Sequence, residues 1–172
     1  MKLILNKYFD NPVKFDFAFA VILVLLFKKF VLNNVLELPS NDNVRDLASE
    51  TVTILLTLSG FILTFLTVLV SLKLDATKLN SRNEESLSLI EKFCNSGLYF
   101  ETTTIFKNSI KEIIFSAILI YLVRLFSTQL PANTMYLFTI GGIIILILTI
   151  LRNLWILGRI LDMQKPDEDL QC

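Results

Sequence analysis

Residues 51–72 form a run of 22 positions without a charged side chain. At about 1.5 Å per residue, a helix of that length reaches roughly 33 Å, enough to cross a hydrocarbon core of about 30 Å. Along it, Thr53, Thr57, Gly60, Thr64, Thr67 and Ser71 follow one another at steps of 4, 3, 4, 3 and 4. That rhythm puts all six on one narrow face, as in helices packed with a left-handed crossing. In lipid, burying Leu against Leu gains little, so small residues and hydroxyls mark the faces where helices meet. The run therefore predicts a membrane protein with one helix face set aside for protein or water.

The rest of the chain agrees with a membrane solvent. It is 53% hydrophobic with a mean hydropathy of +0.62, above an ordinary soluble domain. Its 172 residues suffice for one membrane domain and leave no room for a soluble domain of normal size. Lysine plus arginine equals aspartate plus glutamate, so no basic field invites nucleic acid, and no direct nucleic-acid contact is expected. Histidine is absent, which removes the commonest general base and metal ligand. Cys94 and Cys172 stand too far apart to be a metal-ligand pair, and both are expected as free thiols on the cytosolic side.

Three further apolar stretches complete an all-α membrane fold of four transmembrane helices, expected at 15–36, 51–72, 111–127 and 134–151. The first is interrupted by Lys28 and Lys29, and the third ends in Arg124. No small-residue cleavage site follows the first stretch, so it reads as an uncleaved anchor. Lysine and arginine then orient the chain. One side would hold Lys2, Lys7, Lys14, Lys73, Lys78, Arg82, Lys92, Lys107, Lys111, Arg152, Arg159 and Lys165; the other has Lys28, Lys29, Arg45 and Arg124. Both termini and the long middle loop are expected in the cytosol of a bacterial inner membrane.

The connections differ in size. Outside, Leu38-Pro39 closes the first helix, Ser40-Asn41-Asp42 offers capping oxygens for a helix starting near Asn43, and residues 129–133 make a tight uncharged turn. Inside, residues 73–110 read as a cytosolic helical hairpin. One arm continues from the second span to Phe93, Asn95-Ser96-Gly97 stops it, and Thr102 to Thr104 cap a return helix with Phe106, Ile110, Ile113 and Ala117 on one face. The first arm would project about 30 Å, with Leu98, Tyr99 and Phe100 as an apolar tip for a docking partner. Residues 162–172 read as a solvated acidic tail.

Each remaining constellation has a plain reading beside a functional one. The stripe of Thr53, Thr57, Gly60, Thr64, Thr67 and Ser71 is a face packed on another helix, within the subunit or between subunits of an oligomer, a pore lining, or a set of hydroxyls bonded to their own helix. Lys28, Lys29 and Arg124 either snorkel to outer headgroups and nearby carboxylates or form a site for anionic lipid or an external ligand. Asp16 and Glu112 are placed at headgroup level beside Lys14 and Lys111; as intramembrane carboxylates they would instead point to proton or cation coupling. Gly141-Gly142 with Thr139 and Thr149 marks a close-packing face, and Trp155 with Arg152 and Arg159 an inner interfacial anchor. No nucleophile-base pair, paired-carboxylate site, metal cluster or nucleotide loop is present in the sequence, so neither enzymatic activity nor a cofactor or metal is expected.

A four-span chain of this size, with an inner hairpin and very short outer loops, resembles the membrane subunit of the Kiwa anti-phage system. The resemblance covers the whole chain as a layout and carries no motif, so no site residue transfers with it. It implies a homotetramer in the bacterial inner membrane, docked to a cytosolic DNA-binding partner. The expected function is a non-enzymatic oligomeric scaffold or sensor, tetrameric by preference, that recruits a cytosolic protein. The alternative is a small homo-oligomeric channel or pore-forming effector lined by the threonine stripe.

Overall fold

The structure, a computed structural model, describes residues 12–33, 39–79, 93, 97–127 and 129–162. All four elements there are helices: α1 (Pro12–Leu32), α2 (Asn41–Leu79), α3 (Gly97–Leu125) and α4 (Ala132–Asp162). Two segments are long and apolar enough to cross a membrane, Asn41–Lys73 in α2 and Asn133–Ile160 in α4. Cys94, Cys172, residues 80–92 and 94–96 of the expected hairpin and the acidic tail beyond residue 162 lie outside the described residues.

Local sequence sets the helix ends. Ser40 caps α2, its Oγ accepting from the Asn43 amide at 3.4 Å while its carbonyl accepts from Val44 at 3.0 Å. Pro131 sits just ahead of α4, with its carbonyl taking the Thr134 amide at 2.9 Å. The α3–α4 connection is as tight as the sequence suggests, closed by Leu130 onto the Phe126 carbonyl at 3.1 Å.

The return helix begins at Gly97, earlier than the three threonines imply. Thr102 is buried one turn inside, and the Thr103 hydroxyl donates to the Tyr99 carbonyl at 3.0 Å. The cause is packing. Tyr99 is itself buried, edge-on to Phe93 and beneath the Lys73 ammonium, 4.4 Å from its ring centre. Those contacts hold the first turn helical where the local sequence only offers a cap.

Contacts fix the register of the bundle. Tyr99 meets Lys73 and Phe106 meets Phe65 at 5.2 Å, so α2 and α3 are antiparallel. Ser109 bonds Asn153 while Ile120 faces Gly142, so α3 and α4 are antiparallel too. Asp16 bonds Arg152 while Val24 faces Gly141, which makes α1 antiparallel to α4. The result is an up-down-up-down bundle in which α2, α3 and α4 pack mutually and α1 leans mainly on α4. Among the described residues, α1 and α2 do not pack together. At Gly142 a close approach is built in, because a side chain there would collide with Ile120.

The polarity of the bundle is inverted. Large apolar side chains point outward on every helix, such as Leu25 at 60%, Phe61 at 70%, Leu125 at 62% and Leu151 at 58% exposed. Inside lie Ile62, Phe106, Ile113 and Ile120, but with them Asp16, Ser59, Ser109, Glu112, Ser116, Thr139, Thr149 and Arg152. A water-soluble bundle sorts these groups the other way.

Candidate functional site

The core of α4 follows one stripe, Met135, Thr139, Gly142, Ile145, Thr149, Arg152 and Ile156, all buried. Its steps of 4, 3, 3, 4, 3 and 4 keep the stripe facing α3 and the inner side of α1. Arg152 thus enters the interior as one tooth of a packing seam. This corrects its placement at the inner interface with Trp155. Trp155 and Arg159 do sit at the surface, with the guanidinium 5.0 Å from the indole and Glu101 at 3.6 Å.

Around Arg152 three helices converge. Its guanidinium donates through one terminal nitrogen to Asp16 of α1. Through the other it donates to Glu112 Oε2 at 2.6 Å and to Ser109 Oγ at 3.0 Å, both on α3. Ser109 in turn donates to Asn153 Oδ1 at 2.9 Å. All three charged side chains are at most 4% exposed. Asp16 and Glu112 are therefore turned into the bundle, whereas Lys14 and Lys111 are exposed. On a helix each residue turns about 100°, so Glu112 faces about 100° away from Lys111 and Asp16 about 160° away from Lys14, and each carboxylate turns inward where its lysine turns out.

Chemically, this arrangement clamps. A guanidinium offers a rigid planar fork and stays charged, which suits it to bridging two carboxylates. The Ser109 proton is committed to Asn153, so that hydroxyl is no nucleophile. Four buried oxygens have no hydrogen-bond partner among the described residues: Glu112 Oε1, Ser116 Oγ, Asn133 Oδ1 and Thr149 Oγ1. No group of three potential metal ligands occurs among the described residues. On α2 the same register brings Ser59 to the level of Glu112, and it donates to its own helix at the Leu56 carbonyl.

The stripe of α2 lies elsewhere. Thr53, Thr57, Gly60, Thr64, Thr67 and Ser71 are all exposed, on the face opposite Leu55, Ser59, Ile62 and Leu69. Packing within the subunit is therefore not what the stripe serves. Thr53, Thr57, Thr64 and Thr67 each donate to the carbonyl four residues back, at 2.8–3.0 Å, so these hydroxyls can face an apolar medium. A methyl group added at Gly60 would meet no atom within 4 Å, so the glycine leaves a shallow notch on the surface.

The other expected sites are placed as follows. Leu98, Tyr99 and Phe100 form the first turn of α3 rather than an exposed tip. Tyr99 is 5% exposed, Leu98 is half-buried, and only Phe100 is open, with the Lys73 ammonium 3.9 Å from its ring centre. Lys28 and Lys29 are exposed and Arg124 half-buried, and none of them forms an ion pair among the described residues. No protein-family model, curated protein or solved structure matches the chain.

Proposed function

We propose that the chain is a four-span, non-enzymatic membrane scaffold or sensor whose bundle is latched by the Arg152 cluster. The observation that carries this reading is the inverted polarity: apolar side chains outside on all four helices, ion pairs inside. Topology adds support. The two apolar segments in α2 and α4 run parallel, so the chain between them has to recross, and α3 lies along both from the level of Lys73 to that of Thr51. By the same logic α1, antiparallel to α4, is the fourth crossing. Moving Arg152 from the loops to the interior leaves the cation bias intact, so both termini are assigned to the cytosol.

Self-association through the α2 stripe belongs to this proposal, because the stripe faces out and carries a notch at Gly60. A tetramer and a cytosolic partner follow from the resemblance to the Kiwa membrane subunit, with Phe100 as the accessible member of the docking turn. The channel reading draws on the same outward hydroxyls. It predicts ion flux from reconstituted protein that Thr64→Val alters, whereas the scaffold reading predicts none.

The four-span reading is tested with single cysteines in a Cys94→Ser, Cys172→Ser background. Gln129→Cys is expected to react with a membrane-impermeant maleimide from outside intact cells, and Lys107→Cys only after permeabilisation. Labelling of both from the same side would show that α3 does not cross.

A further inference from the structure

Between α1, α3 and α4 the bundle leaves a cavity of about 520 Å³ that opens to the side of the molecule. It exists because α1 leans on α4 and only lightly on α3, and Gly141 and Gly142 of α4 are among its lining residues. Its walls are apolar, with Val21 and Leu25 from α1, Phe115 and Leu119 from α3, and Leu137 and Phe138 from α4. Polar side chains occur only at the ends. Lys28 and Thr134 line one, where α4 begins, and Ser116 lines the other, near Phe17.

The dimensions select an occupant. From Phe17 to Lys28 the cavity follows α1 for about 16 Å, close to one leaflet of a hydrocarbon core about 30 Å thick. Its volume falls in the range of pockets that take a single ligand, about 300–1,000 Å³. Lys28 marks the end where a headgroup would sit, and it forms no ion pair among the described residues. The first turn of α4 adds its amide dipoles at the same end. Lys29, the next residue, is equally exposed but does not line the cavity.

The geometry points to a binding site for one acyl chain of an anionic phospholipid, a phosphatidylglycerol, with its phosphate held by Lys28. This rests on the four-span reading, which places the cavity mouth against lipid. The chain fills the space between α1 and α3, so the lipid completes the packing of α1 on the bundle. A neutral lipid of the same tail fits the walls but gains nothing at Lys28.

The test is lipid titration of delipidated, detergent-solubilised protein by native mass spectrometry, with phosphatidylglycerol and phosphatidylcholine of matched chains. The parent is expected to prefer phosphatidylglycerol by about fivefold, the worth of one lysine near an anionic headgroup. Lys28→Gln is expected to abolish the preference and Lys29→Gln to keep it. Val21→Trp, placed at the open wall, is expected to weaken both lipids alike. A preference that survives Lys28→Gln, an equal loss in Lys29→Gln, or unchanged binding to Val21→Trp would each overturn the site. Failure of the four-span reading shows separately, in the cysteine labelling.

Discussion

Removing the guanidinium tests whether buried charge holds the bundle together. In Arg152→Met the side chain keeps much of its length and loses its charge, removing the guanidinium that meets Asp16 and Glu112 at 2% and 1% exposure. Three hydrogen bonds go with it, two of them to carboxylates, and each charge-assisted bond is worth about 1.5–3 kcal/mol. Deleting one partner of a buried ion pair costs about 3–5 kcal/mol, a similar total reached independently. At roughly 2–4 °C per kcal/mol for a chain this long, the melting midpoint should fall by about 6–20 °C. The assay is a circular-dichroism melt in one fixed detergent. A triple variant, Asp16→Leu with Glu112→Met and Arg152→Met, removes the desolvation cost along with the attraction and should recover most of the loss. A single variant that melts within about 2 °C of the parent would refute the latch, as would a triple variant no better than the single.

Other expectations follow from the same packing. Ser109→Ala should cost about 1–2 kcal/mol by stranding Asn153 and one arm of Arg152, whereas Thr149→Val should be neutral or stabilising, because its hydroxyl has no partner; the melts compare them directly. Replacing Gly60 and Thr64 together with Leu meets open space within the subunit, so the mass measured in detergent should fall toward a monomer while the fold is kept. Unchanged mass would remove the stripe from the interface. Phe100→Ser should leave the melt unchanged and abolish co-purification of a docked partner, while Tyr99→Ser should lower the melt, since Tyr99 is packed under Lys73.

How much of the structure is legible in the sequence depends on which face a residue is assigned to. Helix number, the Ser40 cap, the tight turn after α3 and the inward face of Phe106, Ile113 and Ala117 all follow from local chemistry and period. The small-residue face of α4 is visible through Thr139, Gly142 and Thr149. One further step of three reaches Arg152, and that step is the signal for the buried cation. It is masked because Trp155 and Arg159 make a plausible interfacial belt, and Arg152 lies close to both in sequence. The docking turn is misplaced for a different reason. Tyr99 is buried by Lys73 and Phe93, residues of a contact that period alone does not announce.

The same distinction between sequence and face explains why α1 and α3 do not pass as apolar spans by composition. Lys14, Asp16, Lys28 and Lys29 count against α1, and Lys111, Glu112 and Arg124 against α3. An average over a window charges each of these to lipid. In the folded bundle Asp16 and Glu112 face Arg152 instead, and the outward residues of these helices include Phe19, Ile22, Leu25, Ile114, Ile118 and Leu122, with Lys14, Lys28, Lys29 and Lys111 exposed among them. A carboxylate that meets a guanidinium inside the bundle imposes no cost on the lipid-facing surface. On the proposed four-span reading, the ion cluster takes the two carboxylates of these mixed helices off the lipid-facing surface. The Arg152 variant therefore bears, on that proposed reading, on the crossing of α1 and α3 as well as on stability. Without the cation, two carboxylates remain on the faces where these helices must pack.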